Sequence, residues 1–348
     1  MPHTAALDRL LALPRVRLAL LPTPLHRLDR FSEAIGVEVW CKRDDIGAPG
    51  LAGNKVRKFE LVLAAAQAAG ADTLITTGAA QSNSARTGAA AAAALGLRCV
   101  LVLTGAPPPE RRANLLLDEL FGADVRFAGP VGWEELGPIL EAVAAEERAA
   151  GRNPFIAPVG ASSPLGALGF ALGYLEVVEQ LEQGSAGGPA PAPGPDAVRA
   201  LVHTTTSGGT HAGLVVGRAL LGRGPRVIGI DAGRVLTEPA AGLAALATAA
   251  AAEVGAARTF DEAEIDVRLE HAGPAYGAVT DEAVAAIRLL SRTEGIVCDP
   301  VYSGKGLAGL VAMARSGELD GGPVLFWHTG GWHAVFDPHY GDPLLEQR

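Results

Sequence analysis

Cysteine is scarce in this chain: 348 residues contain three, Cys41, Cys99 and Cys298. They are scattered and include no Cys-x-x-Cys pair, which excludes a thiolate metal framework and fits thiols kept reduced in the cytoplasm. Charge is also sparse, at 19% of residues, and its balance is acidic, with a formal net charge of -9. Too few cations remain to neutralise phosphates over a broad surface, so no nucleic-acid partner is expected. Long apolar runs are missing too. The richest, from Gly88 to Leu103, is broken by Arg98 and reads as helix, turn and strand, not as a membrane span. Asp8, Arg9, Arg15 and Arg17 interrupt the amino-terminal apolar residues, a poor match to a signal peptide. A soluble, cytoplasmic protein without membrane contact is the expectation. There is no internal repeat and no heptad. Finally, no Gly-x-Gly-x-x-Gly follows a strand with an acidic residue at the right distance, which counts against a nicotinamide oxidoreductase.

Hydrophobic residues are plentiful, at 49%, enough for two domains or one large α/β unit with a buried core. Short apolar runs read as buried strands starting at Val37, Asp72, Arg98, Ala123, Val198, Arg226 and Pro323. Most are followed by a Gly-containing turn and an Ala/Leu-rich helical stretch, the alternation of parallel sheets covered on both faces. A second Ala-rich stretch, from Ala240 to Ala256, reads as plain helix. The Gly/Pro/Ala-rich segment 183–196 reads as a flexible surface loop between a helix and a strand.

Four constellations carry chemistry. In GNKVRKFE, Asn54 can cap a helix whose first turn holds Lys55, Arg57 and Lys58. Cations there oppose the macrodipole, so the cluster is a plain basic turn, a phosphate cradle or a cofactor anchor. In TTGAAQSNSARTG, a strand ends in Gly78, and Gln81, Ser82, Asn83 and Ser84 precede a helix. Clustered hydroxyls and amides at a helix start make a carboxylate site, or in the plainer reading a well-capped helix. In HTTTSGGTHAGL, Ser207, Gly208, Gly209 and Thr210 form a strand-to-helix turn. Its glycines and hydroxyls suit a single phosphate monoester, and it lacks the Gly-Lys-Ser/Thr ending of a nucleotide-triphosphate loop. Near the carboxyl end, Tyr276, Tyr302 and Ser303 lie in Gly-rich loops. With only four tyrosines in the chain, two so placed read as pocket residues. His211 and His328 have no carboxylate or thiol partners at useful spacing, so both are read as structural and no metal site is assigned. An amine, a carboxylate site, a phosphate site and phenols are what pyridoxal phosphate chemistry on a small amino-acid substrate requires.

GNKVRKFE, GAAQSN, SGGTHAGL, YGAVTDE, EGIVCDPVYSGK and HTGG, with the amino-terminal LPTPLHRLDRF and VWCKRDD, resemble in order and spacing the 1-aminocyclopropane-1-carboxylate deaminase and D-cysteine desulfhydrase family. The match covers nearly the whole chain. The resemblance implies an α/β protein with the tryptophan synthase β-like fold (fold type II): two doubly wound open-sheet domains with pyridoxal 5'-phosphate between them. Residues 1–55 and 170–348 would form the larger, cofactor-binding domain and 56–169 the smaller, in a homodimer. By matching position, Lys55 would bond to the cofactor and act as base at Cα. Asn83 would contact the ring hydroxyl, Ser207 to Thr210 would hold the phosphate, and Ser303 would meet the pyridine nitrogen. Ser82, with Gln81, Asn83 and Ser84, would bind the substrate carboxylate, while Tyr276 and Tyr302 would face the substrate side chain. Arg57 and Lys58 would be surface or domain-contact cations.

Ser303 stands where the cyclopropane-cleaving branch carries glutamate. A hydroxyl leaves the pyridine nitrogen neutral and the electron sink weaker, which favours β-elimination of a good leaving group. D-cysteine is the expected substrate, giving pyruvate, ammonia and sulfide. Cysteate, D-serine, chloroalanine and 1-aminocyclopropane-1-carboxylate are the alternatives. Two departures bear on substrate. Ser84 replaces the larger residue that follows Gln-Ser-Asn in the family and would open space near the carboxylate. Trp332, followed by His333, replaces a smaller one and would fill space near the ring.

Overall fold

The computed structural model describes residues 5–48, 50–184 and 192–345. In chain order the strands are β1 Leu25–Arg27, β2 Val39–Arg43, β3 Thr73–Ala79, β4 Arg98–Thr104 and β5 Asp124–Phe127, then β6 Pro154–Ile156, β7 Ala200–Thr205, β8 Arg226–Asp231, β9 Asp266–Arg268 and β10 Val324–His328. The seven apolar runs of the sequence are β2, β3, β4, β5, β7, β8 and β10. The others, β1, β6 and β9, have three residues each, too few to display a two-residue period. The Ala-rich stretch is the helix Pro239–Glu253. Of the segment read as a loop, 185–191 lie outside the described residues; Gln183 and Gly184 close the helix Pro164–Glu182, and 192–196 lead towards β7.

Two sheets form, ordered β1-β2-β10-β7-β8-β9 and β5-β4-β3-β6. Every pairing is parallel except β1 with β2. In the first sheet the chain winds outward from β7 through β8 to β9 and then returns to place β10 on the other side of β7. In the second it winds from β3 to β5 and returns to place β6 on the other side of β3. Both sheets are therefore doubly wound, with switch points at β7 and β3, and ligands of such sheets bind beyond the carboxyl ends of the switch strands. Those ends carry Ser207–Thr210 and Gln81–Ser84.

Strand periodicity explains the double cover. Val39, Cys41, Val202, Ile228 and Phe326 face a core shared with Ile287, Leu290, Leu307 and Leu310. Their neighbours Trp40, Leu201, Val227, Leu325 and Trp327 face the opposite core, with Phe170, Tyr174 and Val177. Successive side chains point to opposite faces, so a strand buried on both must be apolar throughout. The second sheet divides likewise, with Leu74, Leu101 and Leu103 on one face and Ile75, Val100 and Val102 on the other.

The chain passes from β2 into the helix Lys55–Ala68, which leads to β3 and thus joins the sheets. A buried charge cluster pins that passage. The Arg57 guanidinium donates to both carboxylate oxygens of Asp44 at 2.8 Å and to Glu176 at 2.9 and 3.0 Å, while Lys42 reaches Glu176 at 2.5 Å. Of the two readings of Arg57, surface or domain-contact cation, burial removes the first. Arg57 is buried at 3% exposure, because bidentate carboxylate partners offset the cost of desolvating a guanidinium.

Burial alone would raise the Glu176 carboxyl, but the Arg57 and Lys42 charges hold it down, to about 2. A carboxylate lowered on folding stabilises the protein above its ordinary value of 4.5 and loses that contribution as pH falls towards about 2. Glu176→Gln is therefore predicted to cost about 3 kcal/mol at neutral pH. Urea unfolding of both proteins across the acid range checks this, since the gap between them should close below pH 4.5.

Candidate active site

The turn before Lys55 is set by backbone contacts. Gly53 takes φ +110°, and a methyl on Gly330 would lie 2.6 Å from the Gly53 Cα, so the HTGG stretch abuts this turn. The Asn54 N–H donates to the Thr329 carbonyl at 3.0 Å. Asn54 makes no side-chain capping bond, contrary to the sequence reading; its Nδ2 donates to Thr210 Oγ1 at 3.0 Å. Lys55 Nζ donates to Asn54 Oδ1 at 3.1 Å. Loss of water around the Lys55 amine, then repulsion from Arg86, lowers it from 10.5 to about 8, with Asp299 opposing.

At the end of β3, Ser82 caps the helix Asn83–Ala94, its Oγ accepting from Ala85 N at 3.2 Å. Ser84 Oγ is buried without a hydrogen-bond partner. Lys55, Ser82, Asn83 and Ser84 line one cavity. Gln81, expected to touch substrate, does not line it. Its Oε1 accepts from Asn114 N at 2.9 Å, and its Nε2 donates to the Arg112 carbonyl and to Asp337, each at 3.0 Å, so it fastens the turn from behind.

Across the cavity, β7 ends at Thr205 and the helix Gly209–Leu221 begins. Gly208 takes φ +89°, where a methyl would press on Leu243 at 2.9 Å. Thr204 to Gly208 and Thr210 line the cavity; Gly209 is not part of its wall, and its N–H donates to Ser162 Oγ at 3.2 Å. Lys58 also lines it, which the sequence reading missed by taking this residue as a surface or domain-contact cation. Buried at 1% exposure, it touches only neutral oxygens, Gly160 O and Ser162 Oγ, each at 3.2 Å. Burial, then repulsion from Lys55, pushes its amine well below the usual lysine range. The signal was present in GNKVRKFE: a lysine one helical turn beyond Lys55 shares its face.

Tyr276 and Tyr302 close the remaining side, and their hydroxyls hydrogen-bond to each other. Burial raises both phenols, so they stay protonated at neutral pH. Trp133, also missed, lines the cavity and meets Tyr276 edge-on, with centroids 5.4 Å apart; its only sequence signal is a rare tryptophan in a Gly/Pro loop. Two further expected site residues lie outside the wall. Ser303 is fully buried, its Oγ donating to Asp299 Oδ1 at 2.6 Å and accepting from Asp299 N at 2.9 Å. Trp332 stacks on His333 with centroids 3.9 Å apart. Of the histidines, His211 pairs with His203 at 3.0 Å and burial holds it down to about 4. His328 accepts from Gly330 N at 3.1 Å. Among the described residues no group of His, Cys, Asp and Glu could hold a metal.

One cavity thus joins a low-pKa amine, a helix start rich in hydroxyls at each switch point, a second buried amine and two protonated phenols. The profile of the pyridoxal-phosphate dependent enzymes matches residues 16–330. The chain belongs to that family. A solved structure, described as a crystal structure of an ACC deaminase homologue, is 37% identical over 99% of each chain and superposes with a TM-score of 0.87. Within the pyridoxal-phosphate enzymes the chain therefore falls in the ACC deaminase and D-cysteine desulfhydrase family, as a lyase or deaminase of fold type II.

The donor set fits the cofactor. Lys55 would supply the amine for its aldehyde, and Ser207, Gly208 and Thr210 at a helix start would hold its phosphate. The countercharge that a buried Lys58 ammonium needs is what a phosphate supplies. Because Lys55 is nucleophilic only when neutral, loading of cofactor-free protein with pyridoxal phosphate should slow as pH falls below about 8. Stopped-flow absorbance checks this; a rate still climbing towards the 10.5 of an ordinary lysine would contradict it. Lys58→Ala should weaken cofactor retention by roughly tenfold or more, measured by dialysis against free cofactor.

Proposed function

We propose that this enzyme catalyses α,β-elimination on a small amino acid, with D-cysteine as substrate and pyruvate, ammonia and sulfide as products. The observation that carries the reading is the placement of the Lys55 amine and the Tyr276–Tyr302 phenol pair on the walls of the same cavity as the Ser82–Ser84 turn. Pyridoxal phosphate, when bound, supplies the sink for negative charge at Cα of the amino acid. Lys55 Nζ takes the Cα proton, a task suited to an amine lowered to about 8. Ser82 and the free N–H groups of the helix Asn83–Ala94 hold the substrate carboxylate. The phenol pair holds a proton at Oη for the departing sulfur. The Cβ–S bond breaks with its electron pair on sulfur, and water then releases pyruvate and ammonia from the remaining enamine.

By resemblance alone, Ser303 supports elimination over ring opening, since it stands where the ring-opening branch carries glutamate; its Oγ is engaged by Asp299 and does not line the cavity. Ser84 supports a second reading, cysteate as substrate, because its unpartnered buried hydroxyl could receive a sulfonate oxygen. We also infer a homodimer, two domains divided as 1–55 with 170–348 and 56–169, and a cytoplasmic location. The buried free thiols of Cys41, Cys99 and Cys298 support the last, and no described helix is long and apolar enough to cross a membrane.

Purified enzyme should be yellow, and borohydride should trap the cofactor on the peptide containing Lys55. Lys55→Ala should lose turnover almost entirely, and Tyr302→Phe should lower kcat by about a hundredfold or more. A panel of D- and L-cysteine, cysteate, D-serine, chloroalanine and 1-aminocyclopropane-1-carboxylate decides the substrate by release of sulfide, sulfite, pyruvate or 2-oxobutanoate. Pyruvate from another substrate and none from D-cysteine would overturn the assignment while leaving the elimination chemistry intact.

A further inference from the structure

Asn83 lines the cavity, and an amide can offer either its carbonyl or its NH2 group to whatever binds there. A chain of hydrogen bonds behind it removes that choice. Arg86 is buried at 1% exposure, and a guanidinium only donates. Its Nε lies 3.1 Å from Asn114 Oδ1, which makes that atom the carbonyl oxygen. Asn114 Nδ2 therefore donates, to the Gln81 carbonyl and to Asn83 Oδ1, each at 2.9 Å. The Gln81 carbonyl only accepts, so the same orientation of Asn114 follows from its other end. With its Oδ1 taken up by Asn114, Asn83 keeps Nδ2 for the cavity, and no described residue accepts from it. A methyl at Gly331 would come within 2.9 Å of that Nδ2, so glycine there gives the group room.

Two further features show that the arrangement is held in place. Arg86 is anchored at its other nitrogens by the Gly50 carbonyl at 2.7 Å and the Ala52 carbonyl at 3.1 Å, on the loop leading to Lys55. Ala113, just before Asn114, takes φ +49°, a left-handed conformation that is strained for a residue with a Cβ. Strain of this kind persists only where surrounding contacts enforce it.

We propose that Arg86 and Asn114 are positioning residues that lock the Asn83 amide as a hydrogen-bond donor into the cavity, so that it selects an anionic oxygen there. Resting on the assignment of pyridoxal phosphate, that oxygen is the cofactor's ring hydroxylate, whose protonation state governs the visible absorption band. Neither residue lines the cavity; Asn114 acts through Asn83, and Arg86 acts through Asn114 besides repelling the Lys55 ammonium.

The test uses the enzyme loaded with pyridoxal phosphate and reads the visible band and the dissociation constant of the cofactor. Asn114→Asp keeps the shape and the bond from Arg86 but turns the donor facing Asn83 into an acceptor. It should shift the band and weaken retention roughly tenfold, with the cofactor-free circular dichroism unchanged. Arg86→Met removes one of the two bonds that orient Asn114 and should shift the band the same way by less, whereas Arg86→Lys, which keeps a cationic donor, should restore it. Combined with Asn83→Ala, Asn114→Asp should add nothing further, because it acts through the amide already removed. A folded Asn114→Asp protein with the original band and affinity, or additive losses in the double variant, would overturn the proposal. Should Asn114→Asp fail to fold, the Arg86→Met and Arg86→Lys pair, each read with and without Asn83→Ala, decides by the same band: a shift that persists without the Asn83 amide would overturn the proposal. Failure of the unsubstituted protein to bind pyridoxal phosphate would sink the cofactor assignment instead.

Discussion

The Arg57 guanidinium, buried between Asp44 and Glu176, fixes where the two sheets meet. Asp44 belongs to the turn after β2, Arg57 to the helix that carries the chain to β3, and Glu176 to the helix that packs on the first sheet. Three segments are thereby tied within two residues of Lys55. A guanidinium cannot be deprotonated in a protein, so once desolvated it must keep both carboxylates. Breaking one contact strands a charge in an apolar surrounding. That all-or-none character gives Lys55 a rigid base, and the close backbone contact of Gly53 with Gly330 brings the end of β10 against the same turn.

Electrostatics then differentiate residues of one type. Lys55, Arg57 and Lys58 stand within four positions of one another, yet their surroundings give them three fates. Arg57, paired with carboxylates, keeps its charge. Lys55, with Arg86 near it and one distant carboxylate, sits close to neutrality near pH 8. Lys58, against a carbonyl and a hydroxyl only, is stable as an ammonium once an anion joins it. The phenols follow the same logic: burial and mutual hydrogen bonding keep Tyr276 and Tyr302 protonated, so they are proton donors at rest.

The active site also depends on groups that never enter it. Gln81 reads in the sequence as a ligand-binding amide, and in the fold it braces the turn through Asn114, Arg112 and Asp337. Ser303 donates a hydrogen bond to Asp299, a partner four residues back that the motif leaves inconspicuous. Trp332, a large residue where a small one was anticipated, turns away to stack on His333. In each case the partner, and not the residue type or its place in a loop, sets the direction of the side chain.

The linear order of residues already determines the strands that are buried on both faces, since an apolar run of five to seven residues flanked by glycine turns has few other uses. It likewise determines the hydroxyl-rich helix starts and the place of Lys55 in the first turn of its helix, because these are local: each needs only its own turn and the helix behind it. Folding in three dimensions supplies the rest. The short edge strands form only because a neighbour offers its ladder. Lys58 becomes a cavity residue, and Trp133 a cavity wall, only when segments some hundred residues apart close around one space. The polarity of the Asn83 amide is set by Arg86 through Asn114, a relay built from two different helices. Burial and pairing at long sequence separation govern pKa and hydrogen-bond direction, and no local pattern encodes them.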